Sequence, residues 1–459
     1  MKDEKAFRRA QWKFILCSMV AYAFFYLTRK NLSMAQPGML EEGVVSTYAL
    51  GTIMTVHGVV YGCSRFVNGF WADRLNGRIY MTVGLALSAA MNFLFGCSSW
   101  SLLFAAFWIV NGFTQGMGFP PCAKMLTHWI HPKELATKMS VWNTSHSFGA
   151  VMALGLCSLL LGLGFNWRWC FWVPAVLAGL AAVFCFFFVH DSPTEAGVEE
   201  LEIGEGEGEG EGRVEVEGEG EGEGEGEGGV EVEGEGEGVG VGEVREVTNA
   251  ERRRLVFGNK VIWLVSLANF FVYVVRFGFL DWGPTFLKQL KHIPVAKGGL
   301  MIICFELAAV VGTIFAGWVT DRVFKGRGVR TCVFCMLFAA CFSFGFWYLP
   351  DGAPLWQATL LLMGAGFCIY GPQALIGIVA ANQATKEAAA MANGFTGIMG
   401  YASTTVSGIG IAFIKESFGW GVTLGAVAAF ALVGMALFLF AWNADATGYA
   451  RAAKASVKR

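Results

Sequence analysis

GFWADR (residues 69–74) and GWVTDR (residues 317–322) are two versions of one short string, 248 residues apart. Each closes an apolar stretch and leads into a basic one: Arg78 follows the first, and Lys325, Arg327 and Arg330 follow the second. Other pairs keep nearly the same offset. Arg29 and Arg276 are 247 residues apart, and Gly118-Phe119-Pro120 and Tyr370-Gly371-Pro372 are 252 apart. An offset that drifts by so little across the chain marks a duplicated unit. In the repeated string the glycine lets two helices approach closely. The Asp-Arg pair ends a helix and can brace a neighbouring one. Asp73, Arg74, Asp321 and Arg322 are therefore expected to be gate parts, not substrate ligands.

The composition says what the repeated unit is. The chain has 459 residues, 55% of them hydrophobic and 15% charged, with a mean hydropathy of +0.50. Soluble domains carry about 25% charged residues, which argues against a soluble enzyme. Apolar stretches of about 20 residues, the length that crosses a bilayer, recur from Phe14 to Trp442. They predict spans near 14–35, 48–71, 79–98, 101–122, 138–162, 168–189, 261–284, 297–319, 330–349, 355–380, 388–414 and 419–442. The expected fold is all-α and integral to the membrane: twelve transmembrane helices in two six-helix halves, parallel because six is even. Residues 1–190 form the first half and 260–443 the second. Residues 191–259 are the linker between them and 444–459 a basic tail.

Charge sets the orientation. With the N-terminus inside, the even connections and both tails hold 25 of the 34 Lys and Arg residues, and the odd connections hold five. The positive-inside rule then places both termini in the cytoplasm. The first residues, MKDEKAFRRAQWK, read as a basic cytoplasmic tail and not as a cleavable signal. The formal net charge of −2 hides this bias. Between Glu195 and Glu251 lie 22 of the 36 acidic residues and only two basic ones, leaving 32 basic against 14 acidic elsewhere. Residues 204–242 are nearly pure alternation of Glu and Gly, which cannot bury a core. The segment reads as a solvated, disordered spacer. The twelve cysteines lie mostly in apolar stretches, where a thiol is a small hydrophobe. Cys332 and Cys335 are read that way too. His128 and His131 read as loop residues and not as a zinc site. No metal and no cofactor are expected.

Charges inside apolar stretches are expensive and tend to have a use. Arg29 and Arg276, related by the repeat, would both point into a central cavity, where substrate sites of duplicated transporters lie. Two facing guanidiniums repel unless an anion sits between them, and the guanidinium fork fits phosphate oxygens. The competing reading pairs Arg276 with Asp281 or Glu306. Tyr22, Tyr26 and Arg29 share a helix face by spacing, as do Tyr273 and Arg276. His146 follows Trp142 by four residues. Its imidazole either tunes the cavity charge or makes a neutral hydrogen bond between helices. Arg65 steers an entering anion or snorkels. Glu306 either balances an arginine or carries a proton, and the salt bridge is favoured. Lys30, about 100° around the helix from Arg29, is expected to face away from the cavity.

The repeated loop string resembles that of the major facilitator superfamily, and the chain resembles that superfamily from end to end. Longer strings are more specific. YLTRKN (26–31), GFTQGMGFPPCAK (112–124), VWNTSHSFG (141–149), VYVVRFGFLDWGPTFL (272–287), YGPQALIG (370–377) and KEAAAMANGFTGIMGY (386–401) resemble the organophosphate:phosphate antiporter family. The resemblance implies exchange of inorganic phosphate for a phosphorylated small molecule by alternating access. It implies Arg29 and Arg276 as the cavity pair and His146 as the fifth-span histidine. It adds Tyr22, Tyr26, Trp142, Tyr273, Tyr370 and Tyr401 to the pocket, with Asp281 and Glu306 as a charge relay. The family usually has Lys where this chain has Arg65. Within the family, VVRFGFLDWG, CFELAAVVGTIFAGW and YGPQALIGIVAANQATKEAA are more similar to the hexose phosphate branch than to the glycerol 3-phosphate branch.

The expected function is therefore a secondary antiporter, not an enzyme, exchanging a hexose 6-phosphate for phosphate in a bacterial inner membrane. Glycerol 3-phosphate and phosphoglycerate are alternative substrates. The alternative function is a receptor that senses external sugar phosphate and signals to a membrane histidine kinase. The expected partners are phosphorylated sugar, inorganic phosphate and the lipid bilayer, with no nucleic acid. The protein is expected to be a monomer.

Overall fold

The computed structural model describes residues 2–130, 132–198, 249–350, 352–384 and 388–445. The Glu-Gly segment 204–242, most of the 191–259 linker, His131 and nearly all of the 444–459 tail lie outside the described residues. The described residues are helical, without strands. In chain order the helices are α1 (Lys2–Glu41), α2 (Thr47–Arg74), α3 (Gly77–Cys97), α4 (Ser101–Gln115), α5 (Phe119–Trp129), α6 (Pro132–Gly162) and α7 (Trp169–Phe188). The end of the linker forms α8 (Asn249–Phe257), and after it come α9 (Lys260–Lys291), α10 (Val295–Arg322), α11 (Gly328–Tyr348), α12 (Leu355–Gln383), α13 (Ala389–Ala402), a π turn (Val406–Gly410) and α14 (Ile411–Phe440).

Ten stretches among these are long and apolar enough to cross a membrane. Two physical details bring them to twelve passes. The last stretch, Met391–Phe440, is 50 residues long and breaks at Gly419, whose φ of 79° and ψ of 174° are not helical. A positive φ of that kind suits a residue without Cβ. The other missing pass is α2, which is 28 residues long but carries Thr47, Thr55, His57, Ser64, Arg65 and Asn68. Its polarity belongs to its inward faces, while Val59, Val67 and Phe70 stay exposed on the outside. The fourth pass is split into α4 and α5 at Gly116-Met117-Gly118. There a Cβ on Gly116 would lie 1.9 Å from Oγ of Ser64, so the chain bends where it meets α2.

Inside the first half, polar side chains fix the rotation of α1. Asn31 donates from Nδ2 to Oδ1 of Asn92 at 2.8 Å. Asn92 and Asn111 donate to the carbonyl of Thr28 at 3.0 and 3.1 Å. Gln115 donates to the Thr28 hydroxyl at 3.0 Å. Thr28 and Asn31 lie about 100° and 160° around the helix from Arg29. Holding them against α3 and α4 turns Arg29 the other way, towards the second half.

We call the end of the bundle where α1 and α9 begin and α7 and α14 finish proximal, and the other end distal. Side chains that join the halves cluster from the middle of the bundle to its distal end. Along α1 and α9, Lys30 pairs with Asp281 at 2.9 Å, Thr285 donates to Gln36 at 3.0 Å, and Lys288 pairs with Glu41 at 2.5 Å. From residue 30 to residue 41 a helix climbs about 16 Å. Lys415 reaches Thr47 at 2.9 Å on the neighbouring seam. The halves hold each other through their own helices. Replacing residues 204–242 with a shorter Gly-Ser segment should therefore leave insertion and phosphate exchange in liposomes intact. Normal insertion with lost exchange would show instead that the acidic segment regulates the cycle.

Candidate functional site

Arg29 and Arg276 come to one site, joined by a chain of rings. The Arg29 guanidinium lies 4.0 Å from the Tyr61 ring centroid and 5.7 Å from that of Tyr26. Tyr61 lies 5.6 Å from Tyr401, and Tyr401 lies 6.2 Å from Tyr273. The Arg276 guanidinium then lies 5.6 Å from Tyr273 and 4.6 Å from Tyr370. The chain begins in the first half and ends in the second, so the two arginines line the same space between them. Cation–π contact screens a guanidinium only partly. Neither arginine forms an ion pair among the described residues, and Nε of Arg276 is buried without a partner. Buried donors are normally satisfied, so this N–H is a group looking for an acceptor.

The remaining candidates attach to this chain. Tyr22 lies 5.7 Å from Tyr26 and 4.7 Å from Trp142, and His146 lies 5.9 Å from Tyr26. Trp142 is fully buried, and its indole N–H is committed to Ser18 at 3.1 Å. It offers the site a ring and no donor. Arg65 donates to the Tyr401 hydroxyl at 3.0 Å and lies 5.0 Å from the Phe119 ring. It is thus a cross-half link, where steering and snorkelling were the two expectations. The positions of all ten sequence-derived pocket residues, Arg29, Arg276, His146, Tyr22, Tyr26, Arg65, Trp142, Tyr273, Tyr370 and Tyr401, are continuous in space.

The acids divide differently from the simplest expectation. Asp281 pairs with Lys30, not with Arg276. Lys30 therefore does not face away from the interface; it reaches α9 and also lies 5.5 Å from the Phe277 ring. The interface wraps around α1 far enough that a 100° step from Arg29 still meets the second half. Glu306 is 3% exposed and accepts the Tyr370 hydroxyl at 2.8 Å. The Tyr370 ring in turn lies 4.6 Å from the Arg276 guanidinium. Glu306 thus balances Arg276 through a tyrosine and leaves the guanidinium's Nε unclaimed.

Tyr61 is the residue that sequence reasoning passed over. It is 4% exposed and closest to Arg29 of the rings. Its signal was available: it precedes Arg65 by four residues in YGCSRF, so the two share a helix face.

The gate strings end α2 and α10 as expected, at Arg74 and Arg322. Arg74 packs 3.4 Å over the ring of its own helix's Phe70. Asp321 and Arg322 are exposed, and none of these three makes an ion pair among the described residues. The Asp73 side chain lies outside the described residues. The turn after Arg74 is held by Lys124, which donates to the carbonyls of Ala72 and Leu75 at 3.3 and 2.9 Å.

The chain is similar to known proteins over most of its length. The family model of the Major Facilitator Superfamily matches residues 18–408. The chain is 31% identical to the glycerol-3-phosphate transporter of Bacillus subtilis (strain 168), over 96% of this chain and 94% of the relative. It is 32% identical to a "probable hexose phosphate transport protein" of Chlamydia muridarum, over 92% and 89%. It is 30% identical to the membrane sensor protein UhpC of Escherichia coli (strain K12), over 88% and 86%. Among solved structures, a bacterial homolog of the human lysosomal transporter Spinster, in an inward-facing and unoccupied conformation, superposes with a TM-score of 0.74. At 13% identity it covers 94% of this chain and 97% of its own. That likeness speaks for the fold.

Proposed function

We propose that this chain, which belongs to the Major Facilitator Superfamily, is a secondary transporter that exchanges a phosphorylated small molecule for inorganic phosphate. The observation that carries the reading is the pair Arg29 and Arg276. They are repeat-related, drawn into one aromatic network, and free of carboxylate partners among the described residues. A phosphate dianion accepts both forks and removes their mutual repulsion. The cost of leaving the pair uncompensated falls on the empty carrier. Conformational crossing then favours the loaded form, which is the physical basis of exchange.

The basic connections make the proximal end cytoplasmic, in a bacterial inner membrane with both termini inside. With the distal seam joined, ligand reaches the arginines from the cytoplasm. The network's polar groups, Tyr26, Tyr61, Tyr401 and His146, suit a polyhydroxy substrate, and a hexose 6-phosphate is our preferred one. The relatives named above include glycerol 3-phosphate and hexose phosphate proteins at nearly equal identity, so substrate choice rests on the strings that resemble the hexose branch. The similarity to a membrane sensor protein supports a second reading, a receptor that uses the same pocket to address a histidine kinase.

One experiment separates these. Purified protein in phosphate-loaded liposomes is offered labelled phosphate, with glucose 6-phosphate, glycerol 3-phosphate and phosphoglycerate as competitors. Counterflow inhibited most strongly by the hexose phosphate is expected. Binding of sugar phosphate without counterflow would favour the receptor.

A further inference from the structure

The helix that carries Tyr401 is not regular beyond it. Between α13 and α14, Val406–Gly410 form a π turn, a rare feature that is frequent at functional sites. A side chain from the other half is inserted there. The hydroxyl of Thr55, on α2, donates to the carbonyl of Thr404 at 3.1 Å and accepts the N–H of Ile409 at 2.9 Å. Residues 404 and 409 are five apart, the spacing of a π-helical pair. The hydroxyl thus stands as a bridge within the helix's own ladder, one of the recognised causes of a local distortion.

The approach that permits this is unusually close. A Cβ on Gly408 would lie 2.2 Å from Oγ1 of Thr55, one on Gly51 would lie 2.5 Å from Cβ of Ala412, and one on Gly58 would lie 2.7 Å from Thr404. Small residues spaced along both helices let the backbones meet. Trp282 adds a tie from α9, donating to the carbonyl of Ser407 at 2.8 Å.

Tyr401 lies just before this turn, and its carbonyl accepts the Thr404 hydroxyl at 2.8 Å. Its own hydroxyl takes the Arg65 guanidinium, and its ring bridges Tyr61 and Tyr273. One residue more per turn rotates the segments on either side against each other by up to about 100°. The π turn therefore decides where Tyr401 points.

We infer that Thr55 is a positioning residue for transport. Closing the distal seam inserts its hydroxyl between Thr404 and Ile409, fixes the π turn, and aims Tyr401 at Arg65 beside the anion site. Opening the seam withdraws the hydroxyl and returns the two backbone groups to helical partners, which turns Tyr401 away. The geometry of the site and the closure of the far gate are thus one event. The inference rests on the transport reading above.

The test measures equilibrium binding of inorganic phosphate to the purified full-length protein, together with amide exchange over 404–410. Thr55→Val keeps the shape and removes both hydrogen bonds. It should speed exchange at Ile409 and weaken phosphate about tenfold, the size expected for one or two buried hydrogen bonds. Thr55→Ser should behave like the wild type. Tyr401→Phe should weaken phosphate alone, and Thr55→Val added to it should cost nothing further, because the first acts through the second. Where Thr55→Val disturbs insertion, Thr55→Ala makes the same comparison. Wild-type affinity in Thr55→Val, or full additivity with Tyr401→Phe, would reduce Thr55 to seam packing and overturn the inference. Wild-type protein that binds no phosphate would instead sink the transport reading. Amide exchange at Ile409 would still report on the inserted hydroxyl in that case.

Discussion

Arg29→Lys and Arg276→Lys are each expected to abolish exchange or nearly so, although neither changes the formal charge. A lysine is a point charge with three donors, while guanidinium presents a planar fork that fits two phosphate oxygens. Losing the fork removes one or two charge-assisted hydrogen bonds, each about 1.5–3 kcal/mol. Affinity should fall by roughly tenfold to more than a hundredfold. The surroundings sharpen the expectation. Arg29 is stacked at 4.0 Å over Tyr61, a contact that an ammonium on a thinner stem does not reproduce. Arg276 packs 4.6 Å from the Tyr370 ring while its Nε is unclaimed, and lysine has no planar fork to divide in this way. The two should also differ. Lysine at 276 keeps Glu306 partly balanced through Tyr370, so its loss should fall on phosphate. Lysine at 29 should also loosen Tyr61, and with it the contact to Tyr401. Counterflow of phosphate and of hexose phosphate, measured beside normal insertion, checks this. Near-normal exchange by either variant would exclude the bidentate clamp.

The fold was legible because its signals are long-range and repetitive. Apolar length, the Lys and Arg bias, and the 248-residue offset of GFWADR and GWVTDR each report on the whole chain. The bilayer imposes the first two, and duplication of one unit gives the third. Breaks inside passes were less legible. The bend at Gly116 depends on Ser64 from another helix, and nothing in the local string states which side chain will stand there.

In the site, the arginines were legible for an energetic reason: a charge in an apolar stretch is costly unless used. Tyr61 was missed because an aromatic residue inside a span carries no such cost. Only its four-residue spacing from Arg65 marked it. The partner of Asp281 was not legible at all. Five residues separate Asp281 from Arg276, which turns the carboxylate about 140° around α9 and towards α1. Which helix lies there is a fact of the assembled halves. Thr55 is the extreme case, since its role exists only where a π turn from the other half meets it.

The Lys30–Asp281 pair leads to the other large effect. At 2.9 Å, with side chains 12% and 25% exposed, it is the innermost of the links along α1 and α9. Lys30→Ala leaves a carboxylate unpaired between the halves. Asp281→Asn leaves an ammonium one residue from Arg29, adding to the repulsion that the anion must relieve. Removing one partner of a buried pair costs about 3–5 kcal/mol, and partial exposure lowers that. Each single change should therefore cut exchange by at least about tenfold. If the pair acts as a link between halves, exchanging its ends should restore much of the activity, so Lys30→Asp combined with Asp281→Lys should exceed either single variant. Lys30→Arg should retain a link, because a longer fork still reaches the carboxylate, but it should weaken sugar phosphate more than phosphate by filling space near Phe277. The measurement is counterflow with both substrates for the four variants. If the swapped pair proves no better than the singles, the two charges do not act through each other. Lys30 would then be a third cation of the anion site, with Asp281 controlling it only while no ligand is bound.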